Sequence, residues 1–184
     1  VSPSEDKYTF EELLYSVTDE AGTVYEGTYD GFAGLSEPAF TGAAGYSLTN
    51  KSWNGKTFSA TIIFPYPVST VEGATNATLL SSYNNAKQWH AVDGNVLVQT
   101  AGANLAELDY WMWAIYPAFN DGAFTFTIKN IATGLFVTAN KTGSNLDTSN
   151  NSYTGADGAV TLTETGTAFS IPSERDFAFT IGNV

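Results

Sequence analysis

Apolar and polar residues alternate most cleanly between Ala123 and Lys129. Phe124, Phe126 and Ile128 are interleaved with Thr125, Thr127 and Lys129. A period of two marks a strand with one buried face and one wet face. This run lies inside a longer stretch, Tyr110 to Asn140, that reads as three strands. Trp111–Tyr116 predicts the first, stopped by Pro117, which lacks the N–H that pairing needs. Leu135–Ala139 predicts the third. It is reached through Asn130-Ile131-Ala132-Thr133-Gly134, where Gly134 supplies the positive φ of a tight loop.

Towards the N-terminus the pattern is mixed. In Tyr8–Val17, Phe10, Leu13, Leu14 and Val17 fit helical spacing, and Thr9 with Glu12 forms a capping-box pattern. Tyr, Thr, Phe and Val favour strands, however. The turn Thr18-Asp19-Glu20-Ala21-Gly22 then leads to a second strand-like run, Thr23–Tyr29. The expectation is a hairpin over residues 10–29. Asp30–Gly45 reads as loop, with four Gly and one Pro. Tyr46–Trp53 and Lys56–Phe64 flank Asn54-Gly55, the pair suited to a type I′ turn.

Further on, Val68–Ala77 reads as connection and Thr78–Tyr83 as a strand. Gln88–Val92 and Asn95–Thr100 are short strands around Asp93-Gly94. Leu105–Leu108 leads into the Trp111 strand, and Lys141–Gly158 is a long polar loop. Ala159–Thr163, Ala168–Ile171 (stopped by Pro172) and Phe177–Ile181 are the last expected strands, with a turn at Ser173–Asp176.

Three apolar runs end in proline: at Pro65 and Pro67, at Pro117 and at Pro172. The intervals from Pro67 to Pro117 and from Pro117 to Pro172 are 50 and 55 residues. Units of this length suggest a trefoil or propeller blades, and the chain is too short for a propeller. The fold expected is all-β: a β-trefoil-like body over 58–184 with an N-terminal β-hairpin extension over 1–57 that could complete it.

Trp113-Ala114-Ile115-Tyr116-Pro117, Asp121-Gly122, and Phe126 through Val137 (FTIKNIATGLFV) together resemble the repeat of ricin-B-type β-trefoil lectins. The similarity covers about thirty residues well, 111–139 best, and does not reach 1–57. The family's Gln-x-Trp signature is not reproduced, because Gln88 directly precedes Trp89. The resemblance implies a trefoil and a sugar-binding role. Its relatives also include protease inhibitors and structural modules, so fold alone leaves function open.

Composition narrows the field. Seven Lys+Arg against nineteen Asp+Glu give a net charge of −12. That argues against nucleic acid and anionic membrane surfaces, which need clustered cations. No apolar run reaches the length of a membrane span. The absence of cysteine removes disulfides, thiolate nucleophiles and Cys-based metal sites. A start at Val1 suggests a mature form with a leader removed, and the Thr, Asn, Gly and aromatic content suits a secreted or cell-surface protein.

Catalytic chemistry is thinly represented. His90 is the single histidine, and no G-x-S-x-G elbow is present. Glu107 with Asp109, and Glu11 with Glu12, are the candidate carboxylate pairs for glycoside hydrolysis, but adjacent acids in an acidic chain usually form a solvated face. Asn145-x-Asp147-x-Ser149-x-Asn151 lacks the central Gly and terminal Glu of a calcium loop. No cofactor or metal is expected.

Carbohydrate binding fits better. Sugars are held by rings stacked on their apolar C–H faces and by Asp, Asn or Gln bonded to hydroxyls. The candidate binding residues are Trp89 with Asp93 and Asn95, Asn120 and Asp121 beside Tyr116 and Phe119, and Tyr153 in the polar loop. Trp89 and Tyr153 are expected at the surface, and Trp111 and Trp113 inside. The reading is a non-enzymatic, exported, lectin-like module whose partner is a glycan. The alternatives are an adhesive module that binds a surface protein, or a trefoil-type protease inhibitor presenting Lys141–Gly158.

Overall fold

The computed structural model describes residues 10–69, 76–79, 87–100, 105–139, 160–175 and 178–183. The chain is all-β, with open sheets and one 3₁₀ helix among the described residues. It forms two units: residues 1–40 with 46–64, and residues 41–45 with 65–184. The division falls after Phe64 rather than at the expected 57/58, because a cut there would separate the last strand of the first unit from both of its partners.

The first unit is one four-stranded sheet. Its strands are β1 (Glu11–Asp19), β2 (Val24–Gly31), β3 (Ser47–Asn54) and β4 (Thr57–Ile63), in the order β2-β1-β4-β3. The hairpin expected over residues 10–29 is present, and β1 also pairs with β4 in parallel. The strand period decides the core. Leu13, Tyr15 and Val17 are buried with Phe58 and Ile62, whereas Leu14, which helical spacing placed with them, faces outward at 49% exposure.

Asp19 closes the β1–β2 turn. Its carboxylate accepts from the Ala21 and Thr23 amides at 3.0 and 2.9 Å and from the Tyr25 hydroxyl at 2.7 Å. Burial and the Asp19 carboxylate hold Tyr25 well above the usual tyrosine range. The β3–β4 loop is shifted by one residue from expectation. Asn54 pairs with Thr57, so the loop residues are Gly55-Lys56. Gly55 takes φ +59° at the first loop position, as type II′ requires.

The second unit holds a nine-stranded sheet. Its strands are β5 (Asn76–Ala77), β6 (Lys87–Val92), β7 (Asn95–Thr100), β8 (Trp113–Asn120), β9 (Ala123–Asn130), β10 (Phe136–Ala139), β11 (Val160–Thr163), β12 (Phe169–Arg175) and β13 (Ala178–Asn183). The path is β13-β12-β9-β10-β11-β7-β6, and β8 pairs with β9 and β5. Leu105–Trp111 forms the 3₁₀ helix, where an extended lead-in to a strand was expected. Asn76–Ala77 is a strand rather than connection. The turns Asp93-Gly94 (φ 46° and 76°) and Asp121-Gly122 (φ 47° and 78°) have the two positive φ values of type I′ hairpins.

Two prolines expected to stop strands lie within them. Pro117 pairs with Phe126 in the β8–β9 ladder. The Ile115 N–H and C=O both engage Ser69. Backbone groups two residues apart point the same way, so the nitrogen of Pro117 faces away from β9 and no ladder bond is lost. Pro172 falls within the register shift between Ser170 and Ser173, where pairing with β13 is already interrupted. Strand-ending proline therefore does not define a repeat in this chain.

Residues 41–45 bridge β9 and β12. The Thr41 amide donates to Gly122 O at 3.0 Å and Thr41 O accepts from the Phe124 amide at 2.8 Å. The Ile171 amide donates to Gly42 O and the Ala44 amide to Ile171 O, both at 2.7 Å. Gly42 has φ +76°, and a Cβ there would stand 2.0 Å from Phe124 O. Gly42→Ala should cost about 3 kcal/mol in chemical unfolding. Gly94→Ala, at the same φ in open space, should cost about 1 kcal/mol. Equal costs would contradict the close approach.

A second test uses Tyr25. Because its folded pKa is raised, its contribution to stability is complete below about pH 10, the unfolded value, and is lost as pH rises further. Unfolding midpoints measured from pH 8 to 11 should fall less steeply above pH 10 in Tyr25→Phe than in the wild type.

Candidate functional site

The second unit is pinned by one buried amide. Asn130, the last residue of β9, is fully buried. Its Nδ2 donates to the carbonyls of Asp109, Tyr110 and Met112 at 3.5, 3.0 and 3.2 Å. Its Oδ1 accepts from the Thr133 amide and hydroxyl at 3.1 and 3.2 Å. The side chain thus satisfies carbonyls at the end of the 3₁₀ helix and shapes the loop into β10. Its backbone completes the loop, donating to Leu135 O and accepting from the Gly134 amide. The result is a fixed start for β8 and a fixed pairing of Lys129 with Phe136.

The expected sugar-binding residues fall in different places. Trp89, expected at the surface, is 5% exposed and packs edge-on against Trp113 at 5.9 Å. Its carbonyl accepts the Trp113 indole N–H at 3.2 Å. The correction follows from register. Trp89 pairs with Val98 and Ala91 with Val96, and this face of β6–β7 is core, where the polar neighbours of Trp89 in sequence point away. Trp111 and Trp113 are buried, as expected.

Asp93 and Asn95 sit at their turn, where Asn95 Nδ2 donates to Asp93 O at 3.0 Å. That turn lies beside β11, with the Leu162 amide on Gly94 O. Leu162 pairs with Val137, next to Phe136, so the turn is at the Lys129 end of β9. Asn120 and Asp121 are exposed at the other end of β9, about 20 Å along the strand. The two groups are not one site. Tyr153, the Lys141–Gly158 loop and the calcium-like Asn145–Asn151 pattern lie outside the described residues, as does most of the expected Thr78–Tyr83 strand.

His90 is engaged. Its ring stacks on Trp111 at 3.8 Å and 5°, and Nδ1 lies 2.8 Å from Gln99 Oε1. Glu107 and Asp109 are exposed on the 3₁₀ helix. Among the described residues no group of three or more His, Asp or Glu could hold a metal ion.

The polar face of β8 to β11 gathers a different set. Ala114, Lys129, Phe136 and Thr163 form one row across four strands, and Tyr116 with Thr127 lies in the next. The Tyr116 and Phe136 rings meet at 6.4 Å and 60°, one standing on the other. The Lys129 ammonium lies 5.4 Å from the Phe136 centroid, a cation–π contact. The Thr138 and Thr163 hydroxyls share a hydrogen bond at 2.6 Å, and Thr165 O, 3.2 and 2.8 Å from them, accepts the proton that this bond leaves. Ala114 is fully buried, whereas Tyr116, Thr127, Lys129, Phe136, Thr138 and Thr163 are half-buried. The alternation of Thr127 and Lys129 was readable, and Tyr116 was named as a ring. Phe136, Thr138 and Thr163 were missed because only strand register puts them beside Lys129.

No family model, no curated protein and no solved structure matches the chain.

Replacing Asn130 tests the framework under this face. Asn130→Ala should cost about 2–3 kcal/mol through unsatisfied buried groups. Asn130→Asp, nearly isosteric, should cost more, because it sets a carboxylate against three carbonyl oxygens. Chemical unfolding monitored by the near-ultraviolet signal of the tryptophans would rank the two. An Asp variant as stable as wild type would contradict the bonding described.

Proposed function

We propose that the chain is a non-enzymatic, exported carbohydrate-binding module whose sugar face is the Tyr116–Phe136 side of the second unit. The carrying observation is the pair of half-buried rings at 6.4 Å and 60°, bordered on the same face by the Thr127, Thr138 and Thr163 hydroxyls and the Lys129 ammonium. A ring floor takes the apolar C–H face of a pyranose, and its hydroxyls meet the Thr127 hydroxyl and the Lys129 ammonium as donors and the Thr138 and Thr163 oxygens as acceptors. The strands hold these groups with little freedom, which lowers the entropic cost of binding.

The finer reading takes the second unit as a β-trefoil-like body akin to ricin-B-type lectins. It is supported by residues 113–137, where the two hairpin strands, the Asp121-Gly122 turn and the Asn130–Gly134 loop form one continuous unit. In this reading Tyr116 replaces Trp89 as the stacking ring. Asp93, Asn95, Asn120 and Asp121 lie at separate turns and are not parts of one sugar contact.

A second reading, an adhesive module that binds a surface protein, is favoured by the first unit. Phe10, Leu14 and Val24 are 62%, 49% and 52% exposed there. Leu14 and Val24 share the outward face of β1–β2 with Ser16, Thr18 and Thr28 and with the acids Glu12, Glu26 and Asp30.

A glycan array separates the two. The wild type should bind a defined subset of glycans. Tyr116→Ala should lose at least about tenfold in affinity for them, and Tyr116→Phe should keep it, because a ring is preserved. Array binding that survives Tyr116→Ala unchanged would sink the placement of the site. No binding to any glycan, with folding verified by circular dichroism, would favour the adhesive reading.

A further inference from the structure

The Lys129 ammonium narrows the ligand beyond a sugar in general. Lys51 pairs with Glu37 at 2.8 Å and Lys56 pairs with Glu11. Lys129 has no carboxylate partner among the described residues, and its described contact is the Phe136 ring. The positions of β8 to β11 on its face are Ala114, Tyr116, Ala118, Asn120, Ala123, Thr125, Thr127, Phe136, Thr138, Thr161 and Thr163. None is acidic, in a chain with nineteen Asp and Glu. Among the described positions of this face no carboxylate competes for Lys129, so an anion is tolerated beside it.

The geometry gives that cation a defined position. Lys129 and Tyr116 are diagonal neighbours across the β8–β9 ladder, close enough for one bound residue to touch both. The ammonium covers one face of Phe136 and leaves Tyr116 as the stacking ring. An ammonium carries three donors and no acceptor, so it suits an acceptor that is itself charged. The Thr127 hydroxyl, two residues before Lys129 on the same face of β9, adds a neutral donor.

Resting on the carbohydrate reading above, we infer that this face selects an acidic sugar: a carboxylated residue stacked on Tyr116 with its carboxylate on the Lys129 ammonium. The net charge of −12 repels anions at long range. Screening confines that repulsion to about 8 Å at physiological ionic strength. At contact, the nearby charge is Lys129.

The test compares glycans matched except for the charge of a carboxyl group: oligogalacturonides with their methyl esters, and sialylated oligosaccharides with their sialic acid methyl esters, each titrated calorimetrically. The acidic member of one pair should bind about tenfold tighter, the scale of one charge-assisted hydrogen bond. Lys129→Gln should remove the preference, bringing the acidic and neutral members of each pair to the same affinity. Lys129→Arg should keep it. Equal affinity within every pair would overturn the acidic preference and leave the carbohydrate reading standing. Absence of binding to all members would overturn both. A preference for acid that survives Lys129→Gln, or binding to sulfated glycans alone, would overturn the assignment to a carboxylate on Lys129.

Discussion

The second unit depends on the satisfaction of one buried amide. A fully buried asparagine is costly unless every donor and acceptor is used, and Asn130 uses all of its own. No other residue type presents two donors to carbonyls on one side and one acceptor to an amide on the other within this volume. Because its partners lie both before β8 and after β9, the bond set locks the 3₁₀ helix, the start of β8 and the β9–β10 loop at once. Its neighbour Lys129 then projects to the opposite face, where it meets Phe136. The core constraint and the outward aromatic face are consecutive residues of one strand.

Much of the strand content was legible because period-two alternation is a local signal. The Phe124–Lys129 run and the β6–β7 hairpin at Asp93-Gly94 follow directly from residue pattern and turn chemistry, whereas the β1–β2 hairpin rested on strand propensity and the Thr18–Gly22 turn against a competing helical spacing. The shift of the β3–β4 loop to Gly55-Lys56 was not legible, because Gly55 supplies positive φ either as the second residue of an Asn-Gly type I′ turn or as the first of a Gly-Lys type II′ turn, and only strand register separates the two. The prolines misled for a related reason. Pro117 is harmless when its nitrogen faces away from the ladder, and Pro172 when a bulge receives it. Direction and bulge are properties of pairing, not of the residue.

The candidate site was less legible than the fold. Trp89 has polar neighbours in sequence, yet alternation turns them to the opposite side and leaves the indole in the core beside Trp113. Asn95 and Asp121 sit at turns that look equivalent in sequence, but they lie at opposite ends of β9. Conversely, Lys129, Phe136 and Thr163 are 34 residues apart from first to last and become one row only through β9–β10–β11 pairing. Local pattern identifies faces. Long-range register decides which faces hold the same ligand.

The central claim is that a sugar sits on the Tyr116–Phe136 face. The most direct measurement is two-dimensional amide NMR of the isotope-labelled chain, titrated with a glycan that it binds. The account predicts saturable shifts grouped at Tyr116, Thr127, Lys129, Phe136, Thr138 and Thr163, with the first unit unmoved. Shifts grouped at the Asp93–Asn95 or Asn120–Asp121 turns, or on the β1–β2 face of the first unit, would contradict it.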